Sequence, residues 1–139
     1  MKTILTFAIP FSLLMAAGCA TTNEPTEKDA PSVTLTGDDL RAVVDKTFEG
    51  RTSDGYNIRV YNSRDGKLSA TSRAGSKTYS NTGVREIKGN EVCNRWDNPD
   101  WKPGCWTAVR RGDVYYYTPT TPGAPSSQGK FLDGNPYNL

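Results

Sequence analysis

The chain of 139 residues contains three cysteines and no histidine, and these two counts limit the chemistry that it can perform. Histidine is the usual general base and a common metal ligand, so its absence removes Ser-His and Cys-His nucleophile pairs. Asp97 and Asp100 form a close carboxylate pair of the kind that a glycosidase needs. Asp and Asn in such a run more commonly form turns by bonding to their own backbone. We therefore expect a protein that is not an enzyme.

The same residues argue against a metal or cofactor. Residues 96–101 lack the Asp-x-Asp-x-Asp-Gly rhythm and the closing Glu of a calcium loop. Cys93 and Cys105 alone do not complete the shell of a structural zinc site. We expect neither a bound metal nor a cofactor.

Cys19 directly follows a short apolar segment. Lys2 precedes an apolar stretch over residues 4–17, which is shorter than the roughly 20 residues that span hydrocarbon as a helix. The run over residues 14–19 resembles the processing box of bacterial lipoproteins, in which the cysteine is lipidated and becomes the new N-terminus. This resemblance implies that residues 1–18 are a lipoprotein signal peptide and that Cys19 carries lipid. Ordinary secretory cleavage is the alternative.

These expectations place the protein in the bacterial cell envelope, anchored through lipid to the outer membrane and facing the periplasm. Removing residues 1–18 leaves 121 residues, enough for one small domain with a modest core. Without Lys2, 16 basic side chains oppose 15 acidic ones, and this balance argues against nucleic acid as a partner. The expected partners are the membrane and, as a possibility, another protein.

With Cys19 assigned to lipid, Cys93 and Cys105 remain as one pair. Export to an oxidising compartment makes a disulfide their expected state. Closing a loop of about 13 residues stabilises the fold by roughly 3 kcal/mol. Two free thiols or a metal site are the alternatives.

All three tryptophans and three of the seven tyrosines lie between residues 93 and 117. Trp, Tyr and Arg dominate binding hot spots, and a disulfide would hold the loop rigid before a partner arrives. Trp96 and Trp106 are expected to fill the core, because a small domain must bury large aromatic side chains. The candidate binding residues in and beside the loop are Trp101, Arg95 and Lys102.

The chain before the domain is polar, so residues 19–35 are predicted to be a flexible tether. A short helix should follow it, because Thr36 is a good N-cap and Asp39 lies three residues further on. The apolar side chains that would share one face of this helix are Leu40, Val43 and Val44.

Residues 56–61 alternate apolar and polar side chains, which is the period of a half-buried strand. Turn signals recur at short intervals after them. Strands are predicted at 47–50, 56–61, 67–72, 77–87 with a bulge at Gly83, 90–96, 105–110 and 113–118, then a Pro/Ser-rich loop at 119–128 and a last short strand at 130–132. Consecutive strands with short links predict one mainly β domain over residues 36–139, an antiparallel meander that is barrel-like or half-closed.

Residues 83–96, together with Cys105 and the turn at 111–113, resemble a group of uncharacterised small exported proteins of bacteria. Those proteins carry a glycine-led strand, a turn, a Cys followed by Trp, a second Cys and a closing hairpin. The likeness covers about residues 36–139, and it implies a fold without implying an activity.

A second likeness is to membrane-bound lysozyme inhibitors, which are also bacterial lipoproteins with a small barrel and a disulfide. They are similar in presenting a polar loop that ends in Tyr, which corresponds to residues 74–79 here. The likeness implies that Ser76 and Lys77 act as a polar plug for an acidic cleft. We thus expect a non-enzymatic envelope lipoprotein with a binding or structural role, and the alternative is an inhibitor of a cell-wall-degrading enzyme.

Overall fold

The computed structural model describes residues 30–139. The predicted signal peptide, Cys19 and most of the predicted tether lie outside the described residues. Within residues 30–139 the elements, in chain order, are β1 (Ser32–Thr34), α1 (Gly37–Arg41), β2 (Lys46–Thr52), β3 (Asn57–Asn62), β4 (Lys67–Ala74), β5 (Lys77–Lys88), β6 (Glu91–Trp96), β7 (Gly104–Arg111), β8 (Val114–Pro119) and β9 (Ser127–Asp133).

Strands β2 to β9 form a closed antiparallel barrel of eight strands. Each strand pairs with the next along the chain, and β9 returns to pair with β2. The ninth strand, β1, pairs with the end of β7 that extends beyond β6. Closure removes the exposed sheet edges that an open meander would leave. The predicted mainly β meander with one short helix is confirmed, and the barrel is closed.

Tight hairpins make this path possible. Gly75, Gly89 and Gly112 begin the two-residue turns after β4, β5 and β7, and each has a positive φ of 57° to 59°. Such left-handed turns match the twist of the flanking strands and favour glycine. The turn signals in the sequence therefore located the strands closely.

Two details of the strand prediction are wrong. Gly83 forms no bulge, because it lies opposite Leu68 on β4 and Trp96 on β6 in uninterrupted ladders. A Cβ at Gly83 would collide with the carbonyl oxygen of Arg95, so glycine at this position allows β5 and β6 to approach each other closely. The last strand, β9, is also longer than predicted and begins inside the predicted loop at 119–128.

The N-terminal part of the domain closes one end of the barrel. Thr36 and Asp39 form a capping box at the start of α1, as the sequence predicted. Leu35 and Leu40 pack in one core cluster with Val92 and Ala108 from the barrel wall.

Two predictions about this N-terminal segment need correction. Val44 lies beyond the end of α1 and is 41% exposed, so it does not share a buried face with Leu40 and Val43. The segment predicted as tether contains β1, and Leu35 is only 5% exposed. The folded domain therefore begins before residue 36.

Up-and-down connectivity sorts the loops to two ends of the barrel. One end, which we call the mouth, carries the loops 53–56, 75–76, 97–103 and 120–126. The other, the closed end, carries α1 and the turns 63–66, 89–90 and 112–113. No helix within residues 30–139 has the length and apolar character needed to cross a membrane.

Candidate binding cavity

The barrel encloses a cavity of about 700 Å³ that opens at the mouth. Ligand pockets in proteins commonly measure about 300–1,000 Å³. An eight-stranded barrel is wide enough either to be filled by side chains or to hold one small ligand. The inward-facing side chains of this barrel leave room for one small ligand.

The wall of the cavity combines aliphatic and aromatic side chains with polar ones, among them the carboxylates of Asp54 and Asp100 at the mouth. Because successive side chains of a strand point to opposite faces, one residue in two from each strand faces the interior. The apolar side chains that line the cavity are Phe48, Ile58, Val60, Val92, Trp96, Trp106, Pro125 and Phe131. Phe48 packs edge-to-face against Tyr117 and Phe131, at centroid distances of 5.3 and 5.4 Å. An interior of this kind favours an apolar molecule.

Trp106 is fixed as part of this wall. Its indole Nε1 donates to the carbonyl oxygen of Pro125 at 2.8 Å. Gly104 lies beneath the ring, and a Cβ there would be 2.7 Å from the indole. The sequence predicted Trp96 and Trp106 to fill the core; both are half-buried and line the cavity, and Trp106 also packs against the core cluster.

The mouth is bordered by a pair of tryptophans. The rings of Trp96 and Trp101 pack at a centroid distance of 4.9 Å and an interplanar angle of 67°. The loop that carries Trp101 is tied to β5, because Asn98 N–H donates to Asn81 Oδ1 at 3.1 Å. Trp101 is therefore half-buried against the mouth, where a molecule entering the cavity would touch it.

The predicted disulfide supports the same loop and is confirmed. Cys93 on β6 and Cys105 on β7 lie directly opposite each other, with their sulfur atoms 2.07 Å apart. Glu91 lies near these sulfurs in a group that resembles a metal site, but both sulfurs are used by the disulfide. The bond joins the two strands that flank the loop at 97–103.

Asp97 and Asp100 both make structural contacts in this loop. Asp97 accepts a hydrogen bond from the Thr82 hydroxyl at 2.5 Å. The backbone N–H of Asp100 donates to Asn98 Oδ1 at 2.9 Å, which is an Asx turn. The side chain that forms the turn is therefore Asn98, whereas the Asp97 carboxylate bonds to β5.

At the closed end, a cationic side chain faces the cavity. Arg85 on β5 lines the interior, and its Nη2 donates to the carbonyl oxygen of Leu40 at 2.7 Å. That carbonyl lies in the last turn of α1 and has no helical partner of its own, so the bond caps the helix. Burial lowers the pKa of Arg85 from its ordinary value, although a guanidinium remains charged in proteins.

Two neutral polar side chains lie in the same part of the cavity. Asn94 on β6 is directly opposite Arg85 in the ladder, and its Oδ1 is buried without a hydrogen-bond partner among the described residues. Tyr117 on β8 also lines the cavity, and burial raises its pKa to about 12. The Tyr117 hydroxyl is therefore protonated at neutral pH and able to donate a hydrogen bond.

The structure brings together only some of the candidate residues named from the sequence. Trp101 and Lys102 lie together at the mouth and border the cavity. Arg95 is exposed on the outer face of β6, opposite Val84. Ser76 and Lys77 are exposed at the tip of the β4–β5 hairpin, at the mouth but outside the cavity lining.

Sequence reasoning missed the polar group at the closed end. Arg85 has the same parity on β5 as the buried residues Asn81 and Gly83, and this was the available signal for an inward-facing cation. Asn94 and Tyr117 carry no comparable signal in the sequence. Comparison of the chain with models of protein families, with curated proteins and with solved structures finds no match.

Proposed function

We propose that this protein is a non-enzymatic lipoprotein of the bacterial envelope whose barrel binds one small apolar or amphiphilic molecule. The observation that carries the proposal is the cavity of about 700 Å³, which opens at the mouth and has many aromatic and aliphatic side chains in its wall. Transferring apolar surface from water into such an enclosure is favourable by roughly 25 cal/mol per Å². The proposed lipid at Cys19 would hold the barrel close to a membrane, which is a source of such molecules.

The features around the cavity support binding more than a purely structural role. A structural barrel of eight strands gains stability by filling its interior with side chains, because empty volume forfeits packing contacts. Here Ser72 occupies an inward position on β4, and its small side chain lines the open cavity. The rigid loop at the mouth presents Trp101 with little conformational entropy left to lose.

A fluorescence titration tests this proposal. N-phenyl-1-naphthylamine is a neutral apolar probe that brightens when it leaves water. It is titrated into the exported chain, which is residues 19–139, carrying Cys19→Ser. In this protein no attached lipid or detergent competes for the cavity. We expect saturable binding of one probe molecule per chain.

A matched pair of variants locates the binding. Ser72 is 8% exposed and lines the cavity, whereas Ser69 is on the outer face of the same strand. Ser72→Trp places an indole in the cavity and should weaken probe binding by at least tenfold. Ser69→Trp adds the same group outside and should leave the affinity unchanged. Equal probe binding by both variants, with circular dichroism showing both folded, would rule out the cavity as the site.

The alternative proposal, inhibition of a cell-wall-degrading enzyme, has one observation in its favour. Ser76 and Lys77 are exposed at a tight turn, where a short polar segment can enter an acidic cleft. A lysozyme activity assay with the purified protein tests it. Inhibition that is lost in Lys77→Ala but retained in Ser72→Trp would favour this alternative over cavity binding.

A further inference from the structure

The cation at the closed end of the cavity has no anionic partner in the described part of the chain. Its neighbours at this end are paired: Arg64 with Asp45, and Lys67 with Asp65. Arg85, by contrast, bonds only to the neutral carbonyl of Leu40. An arginine has five N–H donors, so most of its hydrogen-bonding capacity is left for water or a ligand.

An unpaired cation at this position lowers the stability of the fold unless a ligand binds it. Placing a charge in a partly buried site without a counter-ion costs several kcal/mol in general, and buried charges are therefore normally paired. A cation without a counter-ion that lines a cavity indicates a binding site for an anionic group from outside.

The rest of the cavity defines what must be attached to that polar group. Arg85 and Tyr79 both line the cavity and are six residues apart on β5, which corresponds to about 20 Å along the strand. Between the closed end and the mouth, the wall is formed mainly by side chains such as Ile58, Val60 and Trp106. A molecule that fills this space has one charged end and a long apolar body.

We infer that the cavity binds a single-chain amphiphile whose carboxylate pairs with Arg85 at the closed end and whose apolar tail extends toward the mouth. This inference rests on the proposed function and names its ligand class. A guanidinium forms paired hydrogen bonds with a carboxylate, and it balances the one negative charge that a carboxylate carries. A phosphate monoester carries nearly two charges at neutral pH and would leave one of them unbalanced in the cavity.

Tyr117 is the third member of the site. Its hydroxyl is protonated and lines the cavity near Arg85, so it can donate to the second carboxylate oxygen. Asn94 can donate through its amide nitrogen from the neighbouring strand. In the proposed complex the anionic group is thus offered donors from three strands, β5, β6 and β8.

A small cleft outside the barrel needs a separate control. It measures about 120 Å³, lies between α1 and the turn at 63–66, and shares Arg85 with Arg41 and Lys67. An anion bound there would also depend on Arg85, but it would have no apolar wall of comparable size. Lys67→Gln removes a cation from this cleft without touching the cavity.

The test compares an acid with its neutral counterpart. Dodecanoic acid and dodecanol are used to displace N-phenyl-1-naphthylamine from the full exported chain carrying Cys19→Ser. We expect the acid to displace the probe at a concentration at least tenfold lower than the alcohol does. In Arg85→Met this preference should disappear while the probe itself still binds, and in Arg85→Lys part of it should remain. Lys67→Gln should keep the full preference.

The outcomes separate this inference from the function on which it rests. Probe binding with equal displacement by acid and alcohol would overturn the carboxylate site and leave the proposed function standing. A preference for the acid that is lost in Lys67→Gln would move the anion to the outer cleft and overturn the inference. Absence of any probe binding would overturn the proposed function itself. If Arg85→Met does not fold, Arg85→Gln and the wild-type comparison of acid with alcohol still decide the question.

Discussion

Removing the disulfide should weaken the barrel at one of its shortest strand contacts. The ladder between β6 and β7 runs only from Val92 opposite Trp106 to Asn94 opposite Gly104, and the disulfide lies between these two rows. The cysteines are 12 residues apart in sequence. Closing a loop of that length contributes about 3 kcal/mol through the chain entropy of the unfolded state.

Thermal unfolding measures this contribution. In a domain of this size, 1 kcal/mol corresponds to roughly 4 °C, so the double variant Cys93→Ala and Cys105→Ala should unfold about 12 °C below the wild type. The double variant should be insensitive to reductant, and the fully reduced wild type should approach it. Because the bond also supports the loop at the mouth, probe affinity should fall together with stability. A shift in the unfolding temperature of less than about 3 °C would refute the assigned role.

Three further predictions concern single residues. Trp106→Ala should cost about 3 kcal/mol of stability because it opens the barrel wall. Trp101→Ala should cost about 1 kcal/mol and mainly weaken probe binding. Chemical denaturation and probe titration of both variants check these values. The hydrogen bond from Arg59 lowers the pKa of Glu49, so this pair stabilises the fold above the ordinary Glu pKa of 4.5 and the stabilisation is lost as the pH falls through the lowered value. Denaturation at pH 7 and pH 3 should show a smaller loss for Glu49→Gln than for the wild type, and an equal loss would contradict the assignment. Cys19→Ser should release the protein from the membrane pellet, and a variant that still sediments with membranes would contradict lipidation.

The barrel itself was largely predictable from the sequence. Alternation in residues 56–61 and glycines at the turns 75–76, 89–90 and 112–113 set the strand boundaries within a few residues. Closure was less certain, because it depends on β9 pairing with β2, a contact between opposite ends of the domain that no local pattern encodes.

The binding site was predicted only at its mouth. Trp101 was recognisable because an aromatic side chain in a disulfide-closed loop is a common binding element. The same reasoning could not tell a core tryptophan from one that lines a cavity, since Trp96 and Trp106 face inward in either case. Arg85 was hidden for a different reason. An arginine in a strand is normally solvated, and only the completed barrel shows that no carboxylate of the described residues faces this one.

Carbon NMR of a labelled fatty acid tests the central claim most directly. Dodecanoic acid labelled at its carboxyl carbon is added to the exported chain carrying Cys19→Ser, and the bound and free carboxyl signals are counted. The proposed cavity site predicts one bound signal that saturates at one equivalent, weakens strongly in Ser72→Trp and persists in Ser69→Trp. The absence of a bound signal, or a bound signal of equal strength in both tryptophan variants, would contradict ligand binding inside the barrel.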